Sequence, residues 1–148
     1  MSETNTGYTN GFPRVRIGLS VLILGLVIFV MGVDPSLFRL DRSPVVGFVQ
    51  IAVFLVGLAM ICLGGYFSLN ALWNGSEKTI AADIGFRLVA TGYVIAVASG
   101  MADVFGLGRH PFPHVPYFGP VQAIGVIIGE VFISLGFLLL IPYKFRGK

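Results

Sequence analysis

Apolar residues in this chain gather into four runs, at 17–33, 45–69, 84–105 and 121–141, separated by short stretches rich in polar residues, proline and glycine. A helix needs about 20 apolar residues, at 1.5 Å rise each, to cross the hydrocarbon core of a bilayer. The pattern therefore predicts four transmembrane helices, the first slightly short and the second long enough to tilt. Their ends carry chemical signals. Asp34-Pro35 closes the first run, and Ser43-Pro44 opens the second with proline near the first turn, where its missing N–H costs nothing. Gly106 and Gly108 are placed to end the third in a left-handed cap, and Ser76 to cap its start. Gly119-Pro120 opens the fourth, with Pro120 as its first helical residue.

A second period runs through the apolar positions. Gly18, Gly25 and Gly32 are seven apart, as are Gly57 and Gly64, Gly85 and Gly92, and Gly129 and Gly136. Ser99 continues the third series. A seven-residue repeat keeps one stripe facing a neighbour in a left-handed supercoil. In lipid, small residues let helix backbones approach closely. The predicted architecture is an all-α membrane protein, a left-handed bundle of four transmembrane helices (residues 14–148) behind a flexible polar tail (residues 1–13). Gly125 forms a small-xxx-small pair with Gly129. On a wheel at about 100° per residue, Gln122, Gly125, Gly129 and Gly136 share one stripe of the fourth helix. If Gly129 and Gly136 serve the internal bundle, Gly125 is left for a partner helix.

Composition sharpens the class. The chain is 55% hydrophobic and 11% charged, against about 25% charged in soluble proteins. Its mean hydropathy is +0.88. The net charge of +3 comes from basic residues that flank apolar runs, as anchors and topology signals do, so no nucleic-acid partner is expected. Arg14, Arg16, Lys78, Arg87, Lys144, Arg146 and Lys148 fall on the side of the termini, and Arg39, Arg42 and Arg109 on the other. The positive-inside rule then makes the termini cytoplasmic, in a multi-pass protein of a plasma or inner membrane. No signal-peptide cleavage site or lipidation motif is evident, and the single Cys62 allows no internal disulfide.

Two features carry chemistry. Glu130 lies about eleven residues from the end of the fourth run, roughly 16 Å deep at 1.5 Å per residue. A carboxylate there costs about 2.5–3.5 kcal/mol on insertion scales, so it should avoid lipid. Arg87 is too shallow to reach it comfortably and is better placed to pair with Asp83, four residues earlier. Protonation is the other escape, with Thr91, Tyr93 and Ser134 as nearby polar groups. Glu130 is then a neutral structural hydrogen-bonder, or an acid in a proton or ion path.

The second feature is the loop "GRHPFPHVPYFGP". His110 and His114 have the spacing that chelates a metal from a helix, but Pro111 and Pro113 rule the helix out. In polyproline II, residues four apart are about 12 Å distant. The loop is read as a stiff strap presenting His110, Phe112, His114, Tyr117 and Phe118 to headgroups or a docking partner, with no metal or cofactor. Asp34, Asp41 and Asp103, near the same face, are expected to be solvated.

There is no phosphate loop, H-E-x-x-H, nucleophile elbow or cysteine pair. The sequence thus points away from an enzyme. It points to an accessory subunit or assembly factor that packs through glycine-lined helices and the outer loop, its partners being lipid and other membrane subunits or itself. The alternatives are a small oligomeric transporter using Glu130, and a membrane enzyme or cofactor-binding protein using His110 and His114.

Overall fold

The computed structural model describes residues 11–39, 47–73, 76–107 and 118–143. They form four helices, α1 (Gly11–Val33), α2 (Phe48–Leu72), α3 (Ile80–Gly100) and α4 (Pro120–Leu140), with a 3-10 turn at Pro35–Phe38 after α1. All four helices are long and apolar enough to cross a membrane.

The ends differ in places from those read off hydropathy. α1 starts at Gly11, inside the stretch assigned to the tail, because Pro13 and the two arginines fit its first turns although they interrupt the apolar run. At 23 residues it is about 35 Å long, so it is not short. α3 starts at Ile80, capped by Thr79 rather than Ser76, with Thr79 Oγ1 accepting from Ala82 N at 3.2 Å. It stops at Gly100, and residues 101–106 are turns. Gly106, at φ 74°, belongs to those turns and does not end the helix.

α1 with α2, and α3 with α4, form hairpins closed by glycine. A Cβ at Gly64 would lie 2.7 Å from Gly18 O, and one at Gly57 would lie 2.9 Å from Gly25 O. In the second hairpin, Cβ atoms at Gly92 and Gly129 would each lie 2.5 Å from the other's carbonyl, and those at Gly85 and Gly136 2.6 Å. Backbone meets backbone along both seams, so no side chain fits. Gly32 completes the first seam against Phe54.

The two hairpins share a sequence pattern. An offset of 67 residues lays Ile17-Gly18, Gly25, Val27-Ile28 and Val30 on Ile84-Gly85, Gly92, Val94-Ile95 and Val97. The match runs on from Phe38, Leu40, Arg42 and Pro44 to Phe105, Leu107, Arg109 and Pro111. Beyond an insertion of five residues the offset becomes 72. Gly47, Val49-Gln50, Gly57, Ile61 and Leu63-Gly64 then fall on Gly119, Val121-Gln122, Gly129, Ile133 and Leu135-Gly136. The backbone follows the same correspondence. The positive-φ residues among those described are Arg39 (56°) and Gly106 (74°), at equivalent places. The helix caps Gly47 (φ −86°, ψ 163°) and Gly119 (φ −87°, ψ 168°) also correspond.

The hairpins meet through α2. Tyr66 stacks on Phe86 of α3 at 4.7 Å, Phe137 of α4 fills the space above Gly65, and Phe54 meets Phe118 edge-on at 6.3 Å. At the end carrying the α2–α3 connection, buried Trp73 donates its Nε1–H to Leu140 O at 3.0 Å. That carbonyl is one of those a helix end leaves without an internal partner. α1 packs closely on α2 and on the 3-10 turn, and no comparable packing joins it to α3 or α4.

Candidate functional site

Glu130 is held in place by the local chemistry of α4. Pro120 opens the helix, and Gln122 Oε1 accepts from Gly119 N at 3.1 Å, satisfying the donor at the cap. Gly129 locks the middle turn into α3. Glu130, next along, is turned out of that seam and is half-buried. Its backbone carbonyl accepts from Ser134 Oγ at 2.9 Å. Its carboxyl group has no hydrogen-bond or ion-pair partner among the described residues.

Among the described residues, none of the other polar groups read together with Glu130 bonds its carboxyl. Arg87 Nη2 lies 3.0 Å from Asp83 Oδ2, with both side chains largely exposed near the start of α3. Thr91 Oγ1 donates to Arg87 O at 2.8 Å, on its own helix. Tyr93 reaches the other way, its Oη 3.5 Å from Leu55 O of α2, at the limit for a hydrogen bond. Ser134 is exposed and bonds only along its own helix. Glu130 therefore stands apart from this set.

What surrounds Glu130 follows from the repeat. It occupies the position that Leu58 holds in α2, and Ser134 the position of Cys62. In α2 this face is core: Leu58 is 5% exposed and its neighbour Leu55 4%. On α4 the corresponding face is open, with Ile127 57% and Leu138 53% exposed. The site is thus an apolar strip of α4 with a carboxyl and a hydroxyl on it, on a face whose counterpart in α2 is buried by another helix.

No protein-family model, no curated protein and no solved structure matches the chain. Functional evidence therefore comes from its own residues.

The strap contributes less than its composition suggests. His110, Phe112, His114 and Tyr117 lie outside the described residues. Phe118, expected among the docking aromatics, is half-buried against Phe54, because α2 offers its ring an edge-on partner. Asp103, expected in solvent, is buried at 4% exposure in the turns after α3. Gly125, expected to be free for a partner, faces Ser99 of α3, since the seam runs one turn further than the glycines alone mark. Trp73 follows the second apolar run, and its role as a latch depends on an acceptor 67 residues away, which no local pattern reveals.

Proposed function

We propose that this chain is a non-catalytic subunit or assembly factor of a membrane complex, with other transmembrane helices covering the outward faces of α1 and α4. One observation carries the reading. Glu130 stands in the middle of an apolar helix, on an open face, with no partner for its carboxyl among the described residues. Left in lipid, such a group costs about 2.5–3.5 kcal/mol, and a neighbouring helix lowers that cost by taking the group out of lipid. The outward face of α1, which among the described helices packs closely on α2 alone, gives a second uncovered surface.

Extraction in mild detergent tests this. The chain should run as a defined assembly larger than one 15.9 kDa polypeptide in its micelle. A single chain, stable and alone after transfer to lipid nanodiscs, ends the reading. If Glu130→Gln abolishes a proton or ion flux in proteoliposomes while the fold persists, the carboxyl is a carrier and transport takes first place. The basic residues near both termini support a cytoplasmic placement of that end. Ser2→Cys and His114→Cys, each in a Cys62→Ser background, should then react with an impermeant reagent from opposite sides of the membrane. Labelling of both from outside reverses that topology.

A further inference from the structure

Two equivalent hairpins can make two equivalent seams with each other, and this chain makes one. In the α2–α3 seam, Tyr66 lies on Phe86, Tyr93 reaches Leu55 O, and Gly100 lies beside Ile51 and Leu55, where a Cβ would be 3.5 and 3.6 Å from their methyl groups. The repeat carries Ile51, Leu55 and Tyr66 onto Ala123, Ile127 and Leu138 of α4. It carries Phe86, Tyr93 and Gly100 onto Leu19, Leu26 and Val33 of α1. The second seam is therefore α4 against α1. Leu19, Leu26, Val33, Ile127 and Leu138 are all exposed, so the described residues leave it open.

The chain cannot readily close this seam on itself. α1 is fixed to α2 by backbone contact at Gly18, Gly25, Gly57 and Gly64. α4 is fixed to α2 by Phe137 over Gly65 and by the bond from Trp73 to Leu140 O. Both helices are anchored to the same neighbour, and swinging either toward the other breaks an anchor. Nor is the α4 face suited to lipid, because Glu130 and Ser134 replace the apolar Leu58 and the cysteine of α2 there.

We infer that α1 of a second copy of this chain covers the open face of α4, repeating between molecules the seam that α2 and α3 make within one. This rests on the subunit reading above and narrows the partner to the chain itself. The register follows from the repeat: Val33 of one copy meets Ala123 and Ile127 of the next, Leu26 meets Ile127, and Leu19 meets Leu138. α1 and α4 run in opposite directions, as α3 and α2 do, so both copies keep the same orientation in the membrane. Glu130, at the place of Leu58, lies about one turn from Ile127 and borders the new seam. Each copy gives one face and receives another, so the contact is head-to-tail and builds a ring or a row.

The full-length chain carrying Cys62→Ser, with Val33→Cys and Ile127→Cys together, is oxidised with copper phenanthroline in native membranes. Cys62→Ser is a mild background, because serine is close to cysteine in size and can donate to the carbonyl four residues back, as Ser134 does to Glu130 O. Reducible dimers and a ladder of higher species are expected from the pair. Either single variant, and the control pair Leu24→Cys with Leu135→Cys on other exposed faces, should give almost none. In the absence of cysteines, Leu26→Trp should shift the solubilised assembly to the mass of one chain while thermal unfolding stays unchanged. Thiols lost without a gain in mass would mean that the seam closes within one chain, and dimers from Ile127→Cys alone would mean that α4 pairs with itself. Either result overturns the inference, as does the absence of any cross-link. Absence of cross-links with a different polypeptide held in stoichiometric amount refutes self-assembly but leaves the subunit reading standing, whereas a lone monomer ends both.

Discussion

α2 and α4 carry one pattern of valine, glutamine and glycine in different surroundings. Each follows a glycine cap with Val-Gln, puts glycine at the eighth and fifteenth residues from its valine, and closes backbone to backbone on the helix before it. On the opposite face they part. α2 carries Leu55, Leu58 and Cys62 against the second hairpin, whereas α4 carries Ile127, Glu130 and Ser134 on an open strip. Even the shared glutamine is used differently, since Gln50 Nε2 donates to Val33 O at 3.4 Å and Gln122 instead caps its own helix. The seam is kept because backbone contact tolerates nothing larger than hydrogen. The opposite face varies because its side chains answer only to whatever covers them.

The largest effect should come from the seams, where the helices are alike. Gly64→Leu and Gly129→Leu each drive a side chain into opposing backbone, and each should cost about 3 kcal/mol or abolish folding. Reversible unfolding in mixed micelles checks this, and a large loss at one with none at the other would break the equivalence. Gly125 sharpens the point, because the neighbour it faces most closely is the Ser99 side chain rather than backbone. Gly125→Ala should cost about 1–2 kcal/mol, and adding Ser99→Gly should restore most of it. Failure of that rescue would mean that the seam ends at Gly129.

Smaller effects are expected where the hairpins differ. Trp73→Phe keeps most of the packing but removes the donor to Leu140 O, for a loss of about 1 kcal/mol by the same assay. Glu130→Leu makes α4 resemble α2 at the Leu58 position. It should change the stability of the isolated chain by less than about 1 kcal/mol while weakening assembly. Loss of the fold itself would show that Glu130 serves the interior of the bundle. The smallest effect belongs to Asp83→Asn, which breaks an exposed pair at the start of α3 that has no counterpart in α1. About 0.3–0.5 kcal/mol is expected, fading as salt rises.

The four helices and their glycine seams were legible because each rests on a short-range period that a linear chain displays directly. Helix ends were less so. Ala81, Ala82 and Asp83 extend α3 toward its N-terminus because they suit a helix, yet they add little to an apolar run and so escape a reading by hydropathy. The pattern shared by the two hairpins is hard to see in the sequence for another reason. Glycines seven apart explain themselves as a packing stripe, and the matching positions between them are scattered and shift by five residues at the strap. Which face of α2 is buried was not legible at all, since α2 is apolar all round and only its neighbours distinguish one side from another. Glu130 stood out for the opposite reason, as a charge where the pattern has none. Its environment became interpretable only when Leu58 supplied the comparison.

The Trp73 latch has a consequence for how the protein is made. Each glycine seam joins neighbouring helices, so the first hairpin has everything it needs as soon as α2 leaves the ribosome. The bond from Trp73 to Leu140 is different, because it spans 67 residues and its acceptor sits on the last turn of α4. Until translation reaches that turn, the indole N–H lacks this acceptor. A nascent chain stalled before α4 is finished would carry a formed hairpin with a waiting donor at its base, and completing α4 is what satisfies it. In that sense the tryptophan registers that synthesis has run through the end of α4, and it offers a fluorescent marker of that moment.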